Sequence, residues 1–419
     1  MDKYKIIEGG VCAAKGFLAS GVYCGIKKSI IPNGNESPVS NKKNDIGMIV
    51  AENLCNTACV YTQNKVKGAP ILVTKKNLEI TGGKSKAVIV NSKNANTCNP
   101  DGEEKAKKMC QLTANALGIK PEEVIVASTG VIGQVLPIEP IEEGIPRLVE
   151  KLGKNNLEVA TAIMTTDTFS KEYAVEFEIG GNLCKIGGMA KGSGMIHPNM
   201  ATTLNFLTTD CAISIKMLQK ALNEIVKITY NCLSVDGDTS TNDMVSIMSS
   251  GMAGNDEIVE ENKDYEIFKD ALYQVMKNLT IMLAKDGEGA TKLLTCKCFN
   301  APSLDTGIVV AKSVICSPLV KCAMYGADAN FGRILCAIGY SEAELDVTKI
   351  DISLVSKAGE IQVCKDGCGV EFSEELAKKV LSEDEIEILV NLNQGGSKAC
   401  AWGCDLTYDY VKINGDYRS

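Results

Sequence analysis

The segment from Lys191 to Asp210 reads KGSGMIHPNMATTLNFLTTD. Gly192 and Gly194 follow its lysine, Pro198 interrupts it, and a small residue, Ala201, stands directly before Thr202 and Thr203. Glycine opens backbone geometry closed to other residues, and a small residue ahead of a β-branched hydroxyl residue is what a strained, self-cleaving peptide bond needs. Cleavage between Ala201 and Thr202 would leave Thr202 with a nucleophilic hydroxyl and a free α-amine, whose ordinary pKa is about 8. Such an amine can take the proton of its own hydroxyl and removes the need for a histidine. On spacing alone the commoner reading is plainer: Thr202 begins the apolar strand Leu204 to Leu207.

Outward from this segment, strand and helix signals alternate. Val175, Phe177 and Ile179 alternate with Glu176 and Glu178 ahead of Gly180-Gly181-Asn182, which predicts a hairpin over Glu172 to Ala190. Ala87 to Asn91 is a short buried strand. Asp101 stands where it can cap a helix over Gly102 to Leu117, in which Ala106, Met109, Cys110, Ala114 and Leu117 share a face and Gly118 is the stop. Glu123 to Ala127 returns to strand. Further helices are predicted over Ile215 to Tyr230 and Tyr265 to Ala284, the second with a core stripe of Phe268, Leu272, Val275, Leu279 and Met282. Glu385 to Leu392 reads as a strand and Asp405 to Ile413 as a short helix. The fold class is α/β, with mixed sheets layered with helices.

Composition narrows the function. The 419 residues include 44 Lys+Arg against 52 Asp+Glu, a net charge of −8, and 45% are hydrophobic, enough for a substantial core and against a disordered chain. The length favours two to three domains. No run of five basic residues offers a footprint for a phosphate backbone or an anionic surface, so neither nucleic acid nor membrane is expected as a partner. No stretch approaches 18 uninterrupted apolar residues, and MDKYKIIEGG lacks the order of a signal peptide, so the expected location is cytoplasmic. There are 18 cysteines but no CxxC, and His197 is the single histidine, so no Cys/His zinc spacing exists. Reduced, mostly buried thiols are expected, with no metal site. Asp286 and the Asp236-Gly237-Asp238 turn lack the further ligands of a calcium loop. No phosphate-binding glycine motif occurs.

The segment at Lys191 resembles the cleavage-site motif KGxGMxxPxxAT of the ornithine acetyltransferase (glutamate N-acetyltransferase) family. The resemblance runs through GFLASGVYCGIK (Gly16 to Lys27), VNSKNANTCNPDG (Val90 to Gly102), ASTGVIGQVLP (Ala127 to Pro137), MTTDTFSK (Met164 to Lys171), DGEGATK (Asp286 to Lys292), GADANFGRIL (Gly326 to Leu335) and AWGCDLTYDYVKINGDYRS (Ala401 to Ser419). It implies a two-domain, self-cleaving, N-terminal-Thr architecture of the ArgJ/DmpA-like kind. The alpha chain would span residues 1–201 and the beta chain 202–419, and two of each would form a heterotetramer. By the same resemblance Thr202 takes the acetyl group of N-acetylornithine and passes it to glutamate, Thr129 and Gly130 form the oxyanion hole, and Thr165, Lys191, Thr202, Glu288, Asn414 and Ser419 bind substrate. A carboxylate with cationic and amide donors suits an amino-acid substrate. The family implies no cofactor; acetyl-CoA enters as a second acetyl donor in some members and not in others. Whether Thr165 or Thr166 faces the substrate is left open. Three positions depart from the family pattern: Thr203 where an apolar residue is common, Gly415 for Ala, and Ser419 for Thr. His197 is read as a bystander. An amidohydrolase using the same threonine, and a thiol-rich metal or redox protein, are the competing readings.

Overall fold

The computed structural model of the chain describes residues 4–26, 43–197 and 203–416. The alternation at Val175, Phe177 and Ile179 forms the expected hairpin: Lys171–Ile179 and Asn182–Lys191 pair antiparallel, with Lys171 opposite Ala190 and Ile179 opposite Asn182. Gly180 and Gly181 turn it at φ +56° and +81°, a conformation that asks for glycine. Asn182–Lys191 then pairs antiparallel with Leu204–Thr209, which lies parallel to Met244–Ser249; the latter pairs antiparallel with the long strand Ile46–Tyr61. Lys84–Asn91 and Val124–Ser128 follow, Phe17–Val22 joins the far half of Ile46–Tyr61, and Lys5–Ile7 closes the other edge. The result is a nine-stranded mixed sheet. A register irregularity between Val50 and Cys55 lets the long strand serve two sets of partners.

A second, seven-stranded sheet is made from Leu233–Ser234, Leu293–Ala301, Asp351–Ser356, Gly359–Lys365, Cys368–Gly369, Glu385–Asn391 and Ser397–Cys404. The helix Lys263–Lys285 packs on the hairpin of the first sheet and on Leu293–Ala301 and Ser397–Cys404 of the second. Its Phe268, Leu272, Val275 and Leu279 are fully buried. One continuous apolar core therefore joins the two sheets. Helices Ala69–Ile80, Gly102–Leu117 and Glu139–Glu150 bury a separate cluster against the first sheet. The mixed α/β fold with layered helices is thus the one expected. Every strand of the second sheet follows residue 202, whereas the first draws strands from both sides of that point. The boundary itself, Ala201 to Thr202, lies outside the described residues.

Several local expectations are corrected. The final helix is Tyr408–Asp416, because the carboxylate of Asp405 is buried and accepts hydrogen bonds from the Thr291 and Lys292 amides at 2.8 and 3.0 Å. The strand expected from Glu123 begins at Val124, since Pro121–Glu123 forms a tight turn. Asp101 sits at the start of Gly102–Leu117 but its side chain caps no amide; its φ of −106° and ψ of 14° are not the extended geometry a capping side chain needs. The helix from Ile215 ends at Ile228, where Thr229 breaks the helical geometry. In the stripe of Lys263–Lys285, Met282 is only half-buried and Leu283 takes the core position. The 18 cysteines are all unpaired thiols and 11 are buried. No single helix among the described residues is long and apolar enough to cross a membrane.

Candidate active site

The register of the first sheet places Lys191, Leu204, Met244 and Tyr61 in one row at its end. Leu204–Thr209 and Met244–Ser249 are parallel, so the residues that precede them, Thr203 and Asp243, lie side by side. The Thr203 amide donates to Asp243 Oδ1 at 2.7 Å, the Thr203 carbonyl accepts from the Met244 amide at 3.0 Å, and the Thr203 hydroxyl accepts from Asn205. Thr203 is held at φ +93°. For a β-branched residue this is an unfavourable conformation that costs about 1–3 kcal/mol. Backbone strain thus stands one residue after the bond that the sequence marks for cleavage. Ala201 and Thr202 lie outside the described residues, as does Ser419.

Thr129 and Gly130 follow the strand Val124–Ser128 and lie against the Asn-rich segment 90–102. The Thr129 amide is already engaged, donating to the Asn91 carbonyl at 2.9 Å, so what this residue can offer a developing oxyanion is its hydroxyl. That hydroxyl accepts from Lys191 Nζ at 3.2 Å, which leaves its own proton to donate. Gly130 has φ +130°, and a Cβ here would lie 2.3 Å from the Lys93 carbonyl carbon. Only glycine permits this approach. Asn91 supports the turn from below, accepting from the Ser128 hydroxyl at 2.6 Å and donating to the Asn94 carbonyl at 3.0 Å.

Beneath Lys191 lies a buried ionic triad. Lys171 Nζ is 2.7 Å from Asp167 and 2.5 Å from Asp286, with all three side chains sequestered from solvent. Asp167 also accepts from the Gly192 amide at 2.8 Å and the Thr165 amide at 3.0 Å; Asp286 accepts from the Thr168 amide and hydroxyl. The Ser193 hydroxyl donates to the Asp286 carbonyl, and the Glu288 amide donates to the Ser193 carbonyl at 2.9 Å. One network therefore fixes the segments carrying Thr165, Lys191 and Glu288. The Asn414 side chain, on the final helix, donates to Glu288 Oε2 at 2.8 Å, and Gly194 packs on the Glu288 carboxylate so closely that a Cβ would overlap it. Thr165 and Thr166 are both half-buried.

Burial pushes the Lys191 ammonium below its ordinary pKa, against the opposing pull of Asp167, Asp243 and Glu288. Burial would raise Asp167, but Lys191 and Lys171 together hold its carboxyl down at about 2. His197 turns its ring to the Ser234 hydroxyl at 3.1 Å and the Cys316 thiol at 3.5 Å, and burial pushes it down to about 4, so it is neutral near pH 7. Asp236 accepts from the Met195 and Ile196 amides at 2.7 and 2.9 Å and from the Tyr410 hydroxyl at 3.2 Å, which ties the segment before the expected cleavage point to the final helix. Among the described residues no group of three or more His, Cys, Asp or Glu side chains is arranged to hold a metal ion.

Sequence reading missed Lys171, Asp167, Asn91, Asn242 and Asp243. The first three lie inside family-like motifs, but only the fold shows that they are buried and hydrogen-bonded to site residues.

The chain matches the model of the ArgJ family over residues 21–419. It is 50% identical to the arginine biosynthesis bifunctional protein ArgJ 1 of Clostridium acetobutylicum, covering 100% of both chains. It is 46% identical to the arginine biosynthesis bifunctional protein ArgJ of Caldanaerobacter subterraneus subsp. tengcongensis, over 99% of this chain and 100% of that one. Among solved structures, the arginine biosynthesis bifunctional protein ArgJ of Bacillus halodurans is 47% identical and covers 51% of this chain and 98% of its own, with a TM-score of 0.48. With a match over almost its entire length and close relatives aligned from end to end, this chain belongs to the ArgJ family.

Proposed function

We propose that this chain is an acyltransferase of arginine biosynthesis that moves an acetyl group from N-acetylornithine to glutamate through an acetyl-Thr202 intermediate, after cleaving its own Ala201–Thr202 bond. Family membership supports the reaction class. The observation that carries the residue assignment is the 3.2 Å contact between Lys191 and the Thr129 hydroxyl, made where Gly192 and Ser193 lead toward the scissile bond and strained Thr203 leaves it.

In cleavage, the Thr202 hydroxyl oxygen attacks the Ala201 carbonyl carbon. The C–N bond breaks, the hydroxyl proton passes to the departing nitrogen, and water hydrolyses the resulting ester. This frees the Ala201 carboxylate and the Thr202 amine. In transfer, that amine takes the Thr202 hydroxyl proton as the oxygen attacks the acetyl carbonyl. The oxyanion is met by the Thr129 hydroxyl and the Gly130 amide. Collapse expels ornithine, whose nitrogen recovers the proton, and the glutamate amine then attacks acetyl-Thr202 by the reverse path. The two half-reactions give ping-pong kinetics. Lys191 and the Asn414 amide suit a substrate carboxylate, Glu288 a substrate cation, and Thr165 and Ser419 complete the set. A cytoplasmic location and an assembly of two alpha and two beta chains accompany this reading. The relatives' shared name, bifunctional protein, makes acetyl-CoA the second donor to test.

Incubation with N-acetylornithine and glutamate should yield N-acetylglutamate and ornithine in equal amounts. Free acetate in place of N-acetylglutamate would instead mark an amidohydrolase.

A further inference from the structure

We propose that Asn242 and Asp243 are a positioning pair that clamps the oxyanion turn and the nucleophile's strand to each other; this rests on the roles assigned above to Thr202, Thr129 and Gly130. Neither residue belongs to the set read from the sequence. Both precede Met244–Ser249, at the end of the sheet where the two parallel strands emerge side by side.

Asn242 is buried and spends its whole amide. Nδ2 donates to the Ala95 carbonyl at 2.5 Å and the Ser128 carbonyl at 3.0 Å, while Oδ1 accepts from the Thr97 and Thr241 hydroxyls at 2.5 and 2.7 Å. Two carbonyls can only accept, so the orientation of the amide is fixed by chemistry. The Ser128 carbonyl belongs to the same peptide unit as the Thr129 amide, which donates to Asn91. That unit is therefore held at both ends, and its plane sets where the Thr129 hydroxyl and the Gly130 amide fall. Gly68 makes room for the clamp, since a Cβ there would lie 2.6 Å from the Asn242 amide.

Asp243 performs the matching task. Its Oδ1 holds the Thr203 amide at 2.7 Å, and that amide shares a peptide unit with the Thr202 carbonyl. The two residues lie in the short connection just ahead of Met244–Ser249, and each holds a different partner: Asn242 the Ser128 carbonyl and Asp243 the Thr203 amide. A single peptide link between Asn242 and Asp243 thus joins the oxyanion turn to Thr203, the residue that follows the nucleophile.

Asn242→Asp keeps the shape and the acceptor oxygen but removes both donated hydrogen bonds. Expected is a fall in kcat of about 100-fold, the scale of a misplaced oxyanion donor, at unchanged KM for N-acetylornithine, with kcat normalised to Thr202 that mass spectrometry finds acetylated. Asp243→Ala should slow cleavage of the purified precursor, and Asp243→Asn, which keeps an acceptor, should recover part of the rate. Asn242→Ala with a melting curve separates misfolding from misplacement, because loss of fold lowers the acetylatable fraction and leaves the normalised kcat intact. A normalised kcat equal to wild type in Asn242→Asp overturns the clamp while the function stands. Wild-type protein that makes no N-acetylglutamate overturns the function and the clamp with it.

Discussion

Between Leu293 and Cys404 the second sheet fills its interior with hydrocarbon and thiol: Leu294, Cys296, Cys298, Ile386, Ile388, Trp402 and Cys404 are all buried. At the end of the first sheet the buried side chains include a polar set, Asn91, Asp167, Lys171, Lys191, Asn242 and Asp243. The difference is one of direction. Apolar packing is tolerant of exchange at constant volume, whereas a buried amide or ion pair dictates where its partners sit and leaves a costly orphan when one partner is removed. The first sheet is shared between the two expected fragments, and its polar end is where they meet; the second sheet is a scaffold behind it.

The largest effect should come from Thr202→Ala, which removes the hydroxyl that both proposed reactions use. Transfer to glutamate should fall to background and the chain should stay intact on a denaturing gel; measurable transfer would move the nucleophile elsewhere. Next comes the triad. Lys171→Met strands Asp167 and Asp286 without their cation and should lower unfolding free energy by about 3–5 kcal/mol in urea titration. A loss below 1 kcal/mol would put the triad on a par with the exposed Lys297–Glu387 pair of the second sheet, and the contrast between the sheets would fail.

Cys296→Ala probes the scaffold. Loss of one buried thiol should cost about 1 kcal/mol and leave the transfer rate unchanged. A drop in rate out of proportion to stability would give the thiols a role that packing does not. A further contrast comes from titration of His197. Its folded pKa of about 4 lies below the ordinary 6.5, so the unfolded chain takes up the proton first on acidification. Its contribution to stability is complete above pH 6.5 and is lost as the pH falls toward 4. Melting temperature should decline over that window more steeply in wild type than in His197→Gln; parallel curves would show that the ring is not sequestered.

Local pattern carried the hairpin at Val175–Phe177–Ile179 and the long helix through Phe268 and Leu279, because their periodicities arise within a few residues. The displaced final helix was hidden because Asp405 answers to Thr291, 114 positions away. Of the site, Lys191 and Thr129, and Glu288 and Asn414, were named through family motifs, and the fold joins each pair by a hydrogen bond. Lys171 and Asn242 were not legible: a lysine opening a strand and an asparagine in a Ser-Thr-Asn run read as surface until strands from both halves of the chain bury them. Thr203 departs from the family pattern in sequence, but its left-handed backbone is visible only in the fold, where Asp243 and Asn205 hold it.

On the proposed reaction, one chain becomes two at the strained end of the first sheet. Intact-mass spectrometry with N-terminal sequencing of the purified, active protein tests it most directly. Two species are expected, residues 1–201 and 202–419, with the second beginning Thr-Thr-Leu-Asn. A single species of 44.8 kDa that transfers acetyl groups at full rate would contradict it.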